Sequence, residues 1–70
     1  MAKLESPVSG RVVAVHVAAG QTVQAGEAVL TVESMKMEIP VEAEKTGTVQ
    51  EVLVGADDEV AEGQIVAVLA

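Results

Sequence analysis

The chain has 70 residues, no cysteine and no aromatic side chain, and its four basic and eleven acidic residues give a formal charge of −7. That length allows one domain and leaves no room for both a core and an enclosed substrate cavity, so function is expected on the surface. The charge repels nucleic-acid phosphates and anionic lipid, and without cysteine neither a disulfide framework nor a thiolate metal site can form.

In chain order, the first seven residues, Met-Ala-Lys-Leu-Glu-Ser-Pro, lack the apolar stretch of a signal peptide, and no later run approaches the length of a membrane span. A soluble chain is expected, in the cytoplasm or, if cut from a longer eukaryotic protein, in an organelle matrix. Lys3 reads as part of a solvated connection. The run 12–17 is rich in valine, whose branched Cβ suits a pleated surface, and it reads as a strand. A turn at Gly20, a short strand at Val23, a turn at Gly26 and a strand over 28–32 follow.

The segment 33–39, Glu-Ser-Met-Lys-Met-Glu-Ile, has the propensity of a helical turn. Its flanks, Thr31-Val32 and Ile39-Pro40-Val41, read as strand, and Pro40 is unsuited to a helix interior. A hairpin with Met35 and Lys36 near its tip is therefore expected. Lys45 then lies in a second solvated connection, ahead of a strand over 49–54, a turn at Asp57, a short strand at Val60, a turn at Gly63 and a strand over 65–69.

The second series repeats the first. Shifted by 37 residues, 10–33 lies over 47–70 without a gap and eight pairs are identical, against about two or three expected by chance in so valine-rich a chain. The halves run from about 1–35 and 37–70 within a single domain, joined by the hairpin at Lys36. Neither half can cover its own apolar face, which implies an all-β flattened barrel or sandwich of two similar four-stranded antiparallel sheets about a pseudo-two-fold axis. Val12, Val15 and Val17 change phase, as do Val49, Val52 and Val54, so bulges are expected near 13–14 and 50–51. Gly20 and Asp57 correspond, as do Gly26 and Gly63, and all four suit a left-handed turn backbone.

Lys36 is singled out because it sits between the two copies. Around it the sequence resembles the biotinyl domains of biotin-dependent carboxylases over nearly its whole length. The match centres on Met35-Lys36-Met37, preceded by Glu33 and Ser34 and followed by Glu38, with a Pro-x-x-Gly-x-Val opening at Pro7, Gly10 and Val12. The resemblance implies that a biotin protein ligase joins biotin to Lys36. It also implies that the biotin shuttles a carboxyl group between biotin carboxylase and carboxyltransferase sites, and that the domain catalyses nothing itself. Glu33, Ser34, Met35, Met37 and Glu38 are assigned to recognition, methionine offering an adaptable apolar surface. The isolated domain is expected to be a monomer without nucleic-acid or membrane partners.

Blander readings stand beside these. Lys36 would otherwise be an exposed lysine that keeps a sheet edge soluble, and Met35 and Met37, two apart, would share an inward strand face. His16 reads as structural or exposed, and the acidic run Asp57, Asp58, Glu59 and Glu62 as a solvated turn, because neither has the partners or order of a metal site. A Schiff-base lysine needs a desolvated pocket that this chain has no mass to build. The nearest alternative is a lipoyl domain, although lipoyl domains usually place Asp before the lysine and Ala or Val after it. Small biotin/lipoyl attachment proteins keep dual modification open, and an unmodified docking module is the third class.

Overall fold

The computed structural model describes residues 2–70 and contains two four-stranded sheets. The eight strands are β1 (Ala2–Glu5), β2 (Gly10–Val15), β3 (Thr22–Val23), β4 (Ala28–Ser34), β5 (Met37–Glu42), β6 (Gly47–Val52), β7 (Glu59–Val60) and β8 (Ile65–Leu69). One sheet has the order β1-β8-β6-β3, the other β5-β4-β2-β7, and every pairing is antiparallel. Each half of the chain thus contributes strands to both sheets, so the halves interlock.

The repeat is visible bond by bond. Gly26 N–H donates to Ala43 C=O at 2.7 Å, and 37 residues on Gly63 N–H donates to Ser6 C=O at 2.8 Å. Likewise Ala43 N–H reaches Glu27 C=O at 2.9 Å while Ser6 N–H reaches Gln64 C=O at 2.9 Å. The equivalence extends beyond the aligned segment, because the β1–β8 ladder (Ala2↔Leu69, Leu4↔Ala67) reproduces the β5–β4 ladder (Val32↔Ile39, Leu30↔Val41).

Leucine and valine side chains fill the core, with Leu30, Leu69, Val12, Val23, Val29, Val32, Val49 and Val66 all fully buried. With no ring to fill space, closeness depends on branched side chains interdigitating across the two inner faces. The bulges fall where the phase changes: the ladder shifts between Val12 and Ala14 in β2 and between Val49 and Glu51 in β6. Gly20, Gly26, Gly63 and Asp57 all have positive φ, of 92°, 87°, 85° and 75°.

Three expectations need correction. The valine-rich strands begin two residues earlier than the runs 12–17 and 49–54, because Gly10 and Gly47 already pair with Val60 and Val23. Val17 leaves the ladder yet stays in the core at 7% exposure. Lys3 lies in an edge strand, β1, where it pairs with Val68, and not in a connection. Only Leu4 of that strand is buried, with the small Ala2 packed beside it against the core, too little apolar pattern to announce a strand.

Candidate functional site

Between β4 and β5 the chain reverses over two residues. The ladder closes with Glu33↔Glu38 and Ser34↔Met37, leaving Met35 and Lys36 as the turn. Their φ values are 54° and 65°. Positive φ at both central residues is the requirement of a type I′ hairpin, whose twist matches the flanking strands and which usually takes Asn-Gly. Met and Lys each hold a left-handed conformation that costs an L-residue about 1–2 kcal/mol. The ladder on either side, six registered pairs long, holds the turn in this shape.

The strain displays the side chains. Met35 is 92% exposed and Met37 64%, so neither joins the core. The inward strand face they might have shared does not exist, because Met35 is in the turn and only Met37 is in β5. Lys36 is exposed, and among the described residues the ion pairs involve Arg11 and not Lys36. Its amine is therefore free to form an amide, and a flexible four-carbon stem carries it away from the sheet.

Below the tip, Glu33 and Ser34 are half-buried and Glu38 is exposed. Glu33 and Glu38 are direct cross-strand neighbours, an arrangement in which like charges repel. Arg11, opposite Glu33 on β2, relieves this: its Nη2 lies 3.5 Å from Glu33 Oε1, and its Nη1 3.9 Å from Asp57 Oδ1. The sequence reading missed Arg11, because residue 48, its counterpart, is threonine and nothing local marks it.

Gly10 also supports the hairpin. A Cβ there would strike the backbone oxygen of Glu33 and lie 2.9 Å from Val32 Cγ1. The strand leading to the tip packs against bare backbone, which gives the Pro-x-x-Gly-x-Val pattern a physical reason.

Elsewhere, polar side chains serve the turns. Asp58 Oδ2 accepts from Gly55 N–H at 2.7 Å, and its counterpart Gln21 Oε1 accepts from Ala18 N–H at 3.3 Å. Glu27 Oε1 and Gln64 Oε1 each accept, at 3.0 Å, from the amide three residues back. No cluster of potential metal ligands occurs among the described residues. His16 is exposed, with its Nε2 2.9 Å from Thr31 Oγ1.

A family model described as "Biotin-requiring enzyme" matches residues 2–69. The chain belongs to the biotin/lipoyl attachment family.

The relatives of this attachment domain fall on both sides of that name. It is 43% identical over 58 residues to the biotin/lipoyl attachment protein of Bacillus subtilis, covering 83% of this chain and 80% of that one. It is 44% identical over 62 residues to the biotin-dependent acyl-coenzyme A carboxylase alpha3 subunit of Mycobacterium leprae, covering 89% of this chain and 10% of the subunit. A dihydrolipoyllysine-residue acetyltransferase component of the pyruvate dehydrogenase complex of Cupriavidus necator is 45% identical over 58 residues, 83% of this chain and 10% of its own. Among solved structures, the urea carboxylase of Kluyveromyces lactis superposes with a TM-score of 0.93 at 38% identity, over 99% of this chain and 6% of that one. The chain thus spans about a tenth or less of the carboxylases it matches.

Proposed function

We propose that this attachment domain is a biotin carboxyl carrier, with Lys36 as the residue that a biotin protein ligase modifies. The observation that carries the reading is the hairpin: the two-residue turn holds, at positive φ, a lysine that no ion pair among the described residues engages, between two methionines that face solvent. The lysine amine takes the acyl group of an activated biotinyl adenylate, forming an amide and releasing the nucleotide. Glu33, Ser34, Met35, Met37 and Glu38 form the surface the ligase reads. When bound, biotin carries a carboxyl group between a biotin carboxylase and a carboxyltransferase, the partners this reading requires. The domain contributes display and reach, because tethering on a short flexible arm raises the local concentration at each partner to the order of millimolar.

Biotin is favoured over lipoate by the methionine on each side of Lys36 and by carboxylases among the relatives. The acetyltransferase relative supports lipoate as the second reading. Intact mass after incubation with a biotin ligase and, separately, with a lipoate ligase tests the choice. One biotin-sized increment that disappears in Lys36→Ala is expected. A lipoate-sized increment alone would replace the first reading with the second, and no increment under either condition would leave a docking module.

A further inference from the structure

Among the described residues the two most exposed large apolar side chains are thioethers, and both flank Lys36. The chain has no cysteine, tyrosine or tryptophan, so among the described residues Met35 and Met37 are the readily oxidised side chains. Oxidation of a thioether needs access to it, and here the two methionines, as whole residues, are 92% and 64% exposed in a turn and at a strand end. Among the described residues, oxidants thus meet thioethers at one place, on either side of the amine.

We infer that Met35 and Met37 are a reversible oxidation site that controls whether Lys36 can be modified. The inference rests on Lys36 being the attachment residue. The thioether sulfur attacks one oxygen of a peroxide, the O–O bond breaks as the S–O bond forms, and the second oxygen leaves as water in the case of hydrogen peroxide. Sulfur loses two electrons and the peroxide gains them. Reversal takes two electrons and two protons from a dithiol through methionine sulfoxide reductases, one for each sulfoxide epimer, and releases water and a disulfide.

Each sulfoxide turns a flexible apolar side chain into a polar, chiral one. A ligase that seats these side chains in an apolar surface would then have to desolvate an S=O group on each flank of its target. The lysine itself is unchanged, and a domain already carrying its cofactor keeps the amide. Through these methionines oxidation therefore acts on new attachment and leaves an existing amide bond in place. The core is untouched, because among the described residues no sulfur lies with the buried side chains.

The unmodified domain is treated with hydrogen peroxide, the peroxide is destroyed, and a Glu-specific protease releases residues 34–38 as one peptide holding Met35, Lys36 and Met37. Oxygen on both methionines of this peptide is expected under conditions that oxidise free methionine, and Met1 is scored in its own peptide. Initial rates of biotin transfer by a purified ligase should fall about tenfold or more, since burying a Met side chain at an interface is worth at least that factor. Treatment with both sulfoxide reductases should restore the rate. The double variant M35L/M37L, compared with its own untreated rate, should lose its sensitivity to peroxide.

An unoxidised 34–38 peptide, an oxidised domain labelled as fast as the untreated one, or equal peroxide sensitivity in M35L/M37L would each overturn the inference. If the untreated domain takes no biotin on Lys36, the attachment reading fails first and the gate with it. The sulfoxide map needs no ligase and tests the oxidation site in either case.

Discussion

Gly10 and Gly47 occupy equivalent positions in the two halves, and replacing each by alanine should cost different amounts. At Gly10 the new methyl group would collide with the backbone oxygen of Glu33 and stand 2.9 Å from Val32 Cγ1. The oxygen belongs to a strand held between β2 and β5, so only a shift of the ladder relieves the contact. At Gly47 the nearest atom is the oxygen of Ala70 at 3.1 Å, a contact that a few tenths of an ångström relieves. Overpacking of the first kind costs about 2–3 kcal/mol, and the second about 1 kcal/mol or less. For a domain of this size about 1 kcal/mol moves Tm by about 4–8 °C, so Gly10→Ala should melt at least about 8 °C below the parent and Gly47→Ala, by the smaller shift, within about 8 °C of it. Thermal melts by far-UV circular dichroism measure both. Equal shifts, or a Gly10→Ala melt within about 3 °C of the parent, would refute the close approach of β2 to the strand below the hairpin.

The turn glycines give a contrasting series. Gly26 and Gly63 have φ of 87° and 85° with nothing within 4 Å of an added Cβ, so Gly→Val at either should cost about 1–2 kcal/mol through the backbone alone. Gly→Asn should recover part of that loss in the same melts, since Asn tolerates the left-handed region better. Replacing Met35-Lys36 by Asn-Gly (M35N/K36G) should stabilise the domain by about 1–2 kcal/mol in urea unfolding while abolishing modification, because the turn would no longer hold two strained residues. Arg11→Ala should cost no more than about 1 kcal/mol, and less as salt rises, because the Arg11–Glu33–Asp57 contacts are long and exposed.

The two-fold repeat was legible because valine is placed where both halves need it: Val12 and Val49, Val23 and Val60, and Val29 and Val66 are buried pairs. The bulges were legible for the same reason, since a phase change along a strand has few other physical meanings. The hairpin followed from Pro40 and its strand-like flanks, although Met-Lys is not a sequence that advertises a type I′ turn. Strand β1 was hidden because its inward face is one leucine and a small alanine, yet the 37-residue shift lays Ala2–Glu5 over the end of β5 and would have revealed it. Arg11 and the packing reason for Gly10 depend on which residues face each other across β2 and β4, a register the sequence does not state. The acids of the 57–62 turn looked like free charge, whereas Asp58 is occupied by an amide, as glutamine is in the other half.

The same Glu-specific digest separates the three lysines of the chain, placing Lys3 in residues 1–5, Lys36 in 34–38 and Lys45 in 45–51. Tandem mass spectrometry of the domain after incubation with a biotin ligase, biotin and ATP therefore reads attachment residue by residue. Display of Lys36 on the strained turn predicts a single biotin-sized increment confined to the 34–38 peptide. Label on Lys3 or Lys45, or an unlabelled 34–38 peptide under conditions that saturate a known substrate, would contradict it.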